Sequence, residues 1–135
     1  MPLSLLAAAL LSQPLEPHPT TARELYNGCV RAVGPQAAPS PATNDATAAA
    51  EQVSCEVSIA VKLAERAANE AMAHNDPQWK NTFCPPDSVL NGEDSTQQLA
   101  RVYIAWFDRH PAAQDAADGD ATLAQALGQT WPCPR

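Results

Sequence analysis

Residues 44–74, NDATAAAEQVSCEVSIAVKLAERAANEAMAH, contain neither glycine nor proline and give the clearest indication of the fold. Ala, Glu, Lys and Leu dominate it, and these residues have a high intrinsic preference for the α-helix. Asn75-Asp76-Pro77 follows, and a residue that precedes proline avoids helical geometry. The sequence therefore predicts one long helix from about Asn44 to His74. Its apolar stripe is formed by Val53, Val57, Ala60, Ala64, Ala67 and Ala71.

A shorter helix is predicted upstream. Thr21-Ala22-Arg23-Glu24 has the pattern of a capping box, with Thr21 as N-cap and Glu24 at N3. Apolar residues then recur at spacings of three and four up to Val33, and Gly34-Pro35 ends the helix. Residues 34–43 contain three prolines and are predicted to be a loop.

Two further helices are predicted downstream of a long irregular connection over residues 75–94. Ser95-Thr96-Gln97-Gln98 has the pattern of a second capping box and opens a helix that stops at His110-Pro111. Asp120 is predicted to cap a final helix. Their apolar faces are Leu99, Val102, Tyr103, Trp106 and Phe107 in the first, and Leu123, Ala124, Leu127 and Trp131 in the second.

The fold class that these patterns predict is all-α, because no segment shows the alternation typical of a strand. We expect an irregular four-helix bundle cross-linked by two disulfides. A chain of 135 residues is short enough for one domain, which we place at residues 20–135. Residues 1–19 are predicted to be a leader and a disordered N-terminal tail.

The four cysteines form no CxxC pair, and no histidine lies at ligand spacing from them, so we expect no metal site and no cofactor. Two disulfides in an oxidising compartment are favoured over four cytosolic thiols. Three pairings are available. The order of the helices favours Cys29–Cys55, which joins the first two helices, and Cys84–Cys133, which joins the segments flanking the last two.

The N-terminus indicates export. Leu3–Leu11, LSLLAAALL, has the length of the apolar region of a signal peptide and is too short to span a membrane. Ser12-Gln13-Pro14 is a candidate cleavage region, although no Lys or Arg precedes the apolar run. We expect a periplasmic or secreted, soluble protein.

The net charge of −7 disfavours nucleic acid and anionic membrane surfaces as partners and favours a basic protein. An enzyme is not expected, because sequence motifs of hydrolases and nucleotide-binding enzymes are missing. The three histidines, His18, His74 and His110, lie in the tail or at helix ends.

A partner-binding surface is predicted around Trp79, which lies outside any apolar stripe. Trp79 either packs over the bundle or is an exposed anchor, and tryptophan is common at binding hot spots. Asp87, Glu93 and Asp94 would give such a surface a negative rim. Trp106 and Trp131 lie on amphipathic faces and are predicted to be core residues.

The assembled pattern resembles the Rap/Tai-type immunity proteins, which are small periplasmic helical proteins of Gram-negative bacteria. The resemblance covers roughly residues 20–135. The segments that carry it are LYNGC (Leu25 to Cys29), SCEVSIA (Ser54 to Ala60), Phe83-Cys84-Pro85-Pro86, LARVYIAWFDRHP (Leu99 to Pro111), Leu123 to Leu127, and Trp131-Pro132-Cys133.

Several members of this family neutralise type VI secretion amidases that cut peptidoglycan. The resemblance implies a toxin inhibitor that occludes the active site of a basic secreted amidase effector, and a body that can pair as a homodimer. It assigns no inhibitory residue, so only the four cysteines are carried over, as structural residues. The alternatives are an envelope-stress or chaperone-like protein without a toxin partner, and a scaffold or accessory protein.

Overall fold

The computed structural model describes residues 20–34, 45–76 and 78–134, and these residues form helices and connections but no strand. The predicted leader, the tail with His18, and residues 35–43 of the predicted loop lie outside the described residues. The helices are α1 (Ala22–Val33), α2 (Asp45–Ala73), α3 (Asp87–Leu90), α4 (Ser95–Arg109) and α5 (Gly119–Thr130), with a 3-10 turn at Pro111–Ala113. The predicted all-α fold is confirmed, and α3 adds one short helix within the predicted irregular connection.

Helix α1 lies directly against α2. Thr21 caps α1 as predicted: its hydroxyl accepts a hydrogen bond from the Glu24 backbone N–H at 3.2 Å. Gly28 permits the close approach, because a Cβ there would overlap the backbone carbonyl group of Glu51. The predicted Cys29–Cys55 disulfide joins the two helices next to this contact, with the two Cα atoms 5.2 Å apart.

The core is centred on α4. Its predicted apolar face is buried, apart from Val102, which is half-buried. The Phe107 ring stacks on Tyr26 of α1, with centroids 4.2 Å apart, and Trp106 donates a hydrogen bond to the Gln129 side chain of α5 at 2.7 Å. Helix α5 contributes Leu123, Ala126 and Leu127 to the same core, whereas Ala124 and Trp131 are half-buried at its edge.

The apolar stripe predicted along α2 faces solvent, which corrects the expected orientation of this helix. All six of its residues, Val53, Val57, Ala60, Ala64, Ala67 and Ala71, are exposed. The buried face consists of Ala48, Cys55 and Ile59. Helix α2 has small apolar residues on almost every side, so the Cys55 disulfide and the bulk of Ile59, which lie on the same face, decide which side packs inward.

Two predicted N-caps are also corrected. Asp94, not Ser95, precedes α4, and the Ser95 hydroxyl donates to carbonyl oxygens of the preceding turn, including that of Val89 at 2.6 Å. Helix α5 is capped by Asp118, whose carboxylate accepts from the Ala121 N–H at 3.1 Å, so Asp120 lies in the first turn. Local pattern alone cannot place an N-cap when several capping residues stand together.

The second disulfide links the segment before α3 to the segment after α5. Cys84 and Cys133 are bonded as predicted, with Cα atoms 4.9 Å apart. The Cys84 N–H also donates to the Trp131 carbonyl oxygen at 2.7 Å. These two links hold the connection that follows α2 against the C-terminal end of the bundle.

Candidate protein-binding surface

An open cleft of about 430 Å³ lies where α1, α2 and the start of α4 meet. Its lining residues are Ala32 of α1, Glu56 of α2, and Glu93, Asp94, Thr96 and Gln97 around the first turn of α4. The turn before α4 is held by the Ser95 hydroxyl, which donates to the Gly92 carbonyl oxygen at 2.7 Å as well as to Val89. This turn presents Glu93 and Asp94 to the cleft.

The cleft is negatively charged. Glu56 accepts a hydrogen bond from the Gln52 side-chain amide at 3.1 Å, and Asp94 accepts one from Gln98 at 2.8 Å. Both donors are neutral amides, so the charges on the carboxylates persist. The ion pairs found among the described residues are Arg23–Asp115, Arg31–Glu51, Lys62–Glu65 and Arg66–Glu70, and none of them includes a cleft carboxylate. Three like charges in a concave site attract cationic groups.

The structure divides the predicted partner-binding residues. Glu93 and Asp94 line the cleft. Asp87 is exposed at the first position of α3, and Trp79 is 45% exposed in the connection after α2, but neither lines the cleft. Trp79 is therefore exposed, and of the three acidic residues expected around it only Glu93 and Asp94 line the cleft.

Sequence reasoning missed Glu56 as a member of this site. Glu56 is one of four glutamates in α2, and its local sequence does not distinguish it from a residue on a solvated helix surface. Its place in the cleft depends on α2 lying beside the α3–α4 turn, 37 to 38 residues further along the chain. The sequence around Glu56 therefore cannot predict that this residue lies beside the turn before α4.

A second unusual surface is the outer face of α2, defined here as Ala50, Val53, Val57, Ala60, Val61, Ala64, Ala68 and Ala71. All eight residues are exposed, and Val53, Val57 and Val61 are 56%, 54% and 47% exposed. The face contains no charged or polar side chain over almost six helical turns. Exposed apolar patches of this extent mark interaction sites.

The two described histidines, His74 and His110, do not line the cleft. His74 is exposed in the turn after α2. His110 ends α4, where its ring stacks on Trp106 at a centroid distance of 4.3 Å and its Nδ1 lies 2.6 Å from the Trp106 carbonyl oxygen. Across residues 20–34, 45–76 and 78–134, no cluster of three or more His, Cys, Asp or Glu has the arrangement of a metal site.

The pKa values of two tyrosines are raised, and both residues pack in or against the hydrophobic core. Burial, followed by the hydrogen bond and the negative charge of Asp108, raises the pKa of Tyr26. Burial also raises the pKa of Tyr103, against the opposing effect of its hydrogen bond with Thr122 and together with the charge of Asp120. These shifts favour the neutral phenols in the folded state.

None of the described helices combines the length and the hydrophobicity that crossing a membrane requires. Neither a protein-family model, nor a curated protein, nor a solved structure matches this chain.

Proposed function

We propose that this chain is an exported binding protein that neutralises a basic, peptidoglycan-degrading type VI secretion effector by occluding its active site. The observation that carries the proposal is the acidic cleft between α1, α2 and α4. Glu56, Glu93 and Asp94 line it, and within the described residues no cation pairs with them. The sequence resemblance to the Rap/Tai-type immunity proteins supplies the class of partner.

The cleft suits the recognition of a basic protein. Its volume of about 430 Å³ is large enough for one or two long cationic side chains. Complementary charge accelerates encounter, and a carboxylate that becomes buried against a guanidinium or ammonium group slows dissociation. The Cys29–Cys55 disulfide joins α1 and α2, two of the helices that line the cleft, and a surface held in this way needs less ordering when a partner binds.

The direct test is inhibition of a small secreted hydrolase encoded beside this chain. We expect the purified protein to abolish release of cell-wall fragments at stoichiometric amounts. The double variant Glu93→Gln/Asp94→Asn should weaken inhibition at least about tenfold. The control variant Asp115→Asn/Asp120→Asn removes the same charge outside the cleft and should inhibit like the wild type. Undiminished hydrolysis at stoichiometric excess of the wild type contradicts the proposal.

The proposed location is the periplasm or the exterior, where disulfides form and persist. Both cysteine pairs are bonded, which is the state that an oxidising compartment favours. Trapping of thiols in cells before lysis should find all four cysteines protected. Four free thiols in folded, natively located protein would contradict both the location and the family assignment.

The second candidate function is that of an envelope-stress or chaperone-like protein, and the outer face of α2 favours it. An exposed apolar face can bind unfolded clients. If this function is correct, acidification should expose further apolar surface on the protein, and the acidified protein should suppress the aggregation of unfolded clients. An unchanged fold without any such suppression at low pH eliminates it.

A further inference from the structure

The outer face of α2 covers the side of the helix that points away from the core. At 100° per residue, its eight residues fall within a sector of about 100°, opposite Ala48, Cys55 and Ile59. The face runs from Ala50 to Ala71, a distance of about 33 Å along the helix axis. Helix α2 is therefore apolar on two opposite sides, and within the described part of the chain only one of these sides is buried.

The glutamates that flank this face differ in their partners. Glu65 and Glu70 flank the second half of α2, and both are neutralised on the same helix, by Lys62 at 3.5 Å and by Arg66 at 3.0 Å. Glu56, in contrast, has no ion pair among the residues that the structure describes, and there it accepts a hydrogen bond from the neutral Gln52.

Glu56 joins the outer face to the cleft. It lies one helical turn from both Val53 and Ala60 of the face, and it lines the cleft together with Glu93 and Asp94. Among the described residues, Glu56 is thus the one glutamate of α2 that has no cationic partner, and it lies where the apolar face meets the cleft.

We propose that the outer face of α2 docks an α-helix of the partner protein, and that this helix has an apolar stripe bordered on one edge by Lys or Arg. Alanine and valine side chains are short, so a second helix can approach closely and pack along the 33 Å face. The basic edge of that helix then lies against Glu56 and extends into the cleft. The inference rests on the proposed function in one respect: both place a basic protein against the cleft.

Charge distinguishes this occupant from two others. A second copy of the chain would bring a net charge of −7 against another −7, with acidic edges on both copies. An anionic lipid surface would meet the same three carboxylates. A helix with a basic edge complements both the apolar face and its acidic border.

The experiment uses three synthetic amphipathic peptides of about 21 residues, a length that spans the face. All have the same Ala/Leu stripe; the first has lysines along one edge, the second has glutamates there, and the third is a scrambled form of the first. Fluorescence anisotropy with the full oxidised chain should give saturable binding of the lysine-edged peptide, weakened by salt, and at least about tenfold weaker binding of the other two.

Variants of the full chain locate the binding. Val57→Asp should lower affinity for the lysine-edged peptide at least about tenfold, and the milder Val57→Asn should act in the same direction. Val30→Asp is the matched control, because Val30 is 40% exposed on α1, outside the face. Glu56→Lys should reverse the preference toward the glutamate-edged peptide. Circular dichroism should show that all four variants remain helical.

Three outcomes overturn the inference: no saturable binding of the lysine-edged peptide, equal binding of all three peptides, or equal losses in Val57→Asp and Val30→Asp. A dimer in sedimentation that Val57→Asp dissociates would assign the face to a second copy and would also overturn it. If Val57→Asp inhibits the hydrolase normally while the Glu93/Asp94 variant does not, this inference fails and the proposed function stands. If the lysine-edged peptide binds specifically but the wild type does not inhibit the hydrolase, the proposed function fails and this inference stands.

Discussion

Helices α4 and α2 both carry apolar residues at helical spacing, but the structure uses the two patterns in opposite ways. In α4 the predicted face is buried, and the opposite side bears polar and charged residues such as Arg101 and Asp108. In α2 the predicted stripe is exposed, and the residues that pack inward are Cys55 and Ile59, with Ala48. An apolar stripe thus predicts burial only when the rest of the helix is too polar to be buried in its place.

The largest expected loss of stability distinguishes the buried face of α4 from the exposed outer face of α2. Phe107→Ala should lower the free energy of unfolding by about 3–5 kcal/mol, because Phe107 is buried and stacks on Tyr26. Val57→Ala, on the outer face of α2, should change it by about 0.5 kcal/mol or less. Urea denaturation of the oxidised proteins measures both. Similar losses in the two variants would mean that α2 also buries its outer face in the isolated chain.

The next largest losses of stability are expected from removing the disulfides. Cys29→Ala/Cys55→Ala removes a cross-link that closes 26 residues, and we expect a loss of about 3.5 kcal/mol. Cys84→Ala/Cys133→Ala opens a separation of 49 residues and should cost about 4 kcal/mol.

Hydrogen exchange distinguishes the roles of the two disulfides. Because α2 has few large buried side chains, loss of the Cys29–Cys55 bond should deprotect its amides before those of α4. The Cys84–Cys133 variant serves as the control, in which α2 keeps its protection relative to α4. Uniform deprotection of both helices in the first variant would show that packing alone holds α2 in place.

A smaller loss is expected from Gly28→Ala, which tests the contact between α1 and α2. The added Cβ would overlap the Glu51 carbonyl group, so the helices must separate, at a cost of about 1–3 kcal/mol. Gly128→Ala is the matched control within α5: its Cβ would lie 3.2 Å from the Thr82 carbonyl oxygen, and the change should be smaller. Thermal unfolding of both variants suffices. An unaffected Gly28→Ala protein would contradict the close approach of the two helices.

The smallest effect is a change in pH dependence. The Tyr103 hydroxyl lies 2.7 Å from that of Thr122 and donates to the Ala22 carbonyl oxygen at 3.2 Å, so Tyr103→Phe should cost about 1 kcal/mol at neutral pH. Burial raises the pKa of Tyr103 above its ordinary value of 10.0. The fold therefore favours the neutral phenol, and this contribution is present below pH 10.0 and is lost as the pH rises through the higher folded-state pKa.

Denaturant titrations between neutral pH and strongly alkaline pH test this prediction. The wild type should lose stability above pH 10.0 more steeply than Tyr103→Phe, because the variant lacks the buried phenol. Both proteins retain Tyr26, so its own raised pKa is common to the two curves. Parallel curves would mean that Tyr103 ionises in the folded protein as easily as in the unfolded chain.

The candidate site was predictable only in part. Acids that follow a tryptophan outside any apolar stripe predict a binding rim at Asp87, Glu93 and Asp94, and the cleft contains Glu93 and Asp94. Their role in binding stays a prediction. Glu56 could not be recognised, since its neighbours across the cleft come from a turn far along the sequence. Trp79 and Asp87 were grouped with the acids by proximity in sequence, whereas the cleft draws its lining from three separate helices.

The amino-acid sequence is sufficient to predict the main helices and the all-α fold, because helix propensity and helix-breaking prolines are local properties. The order of the helices favours one of the three cysteine pairings, and the folded chain contains that pairing. Which side of α2 is buried, which residues cap α4 and α5, and which carboxylates share a cleft depend on tertiary contacts. In each case the local sequence allows several arrangements of nearly equal energy. Contacts between distant segments, such as the Cys29–Cys55 bond and the packing of Ile59, determine which arrangement forms.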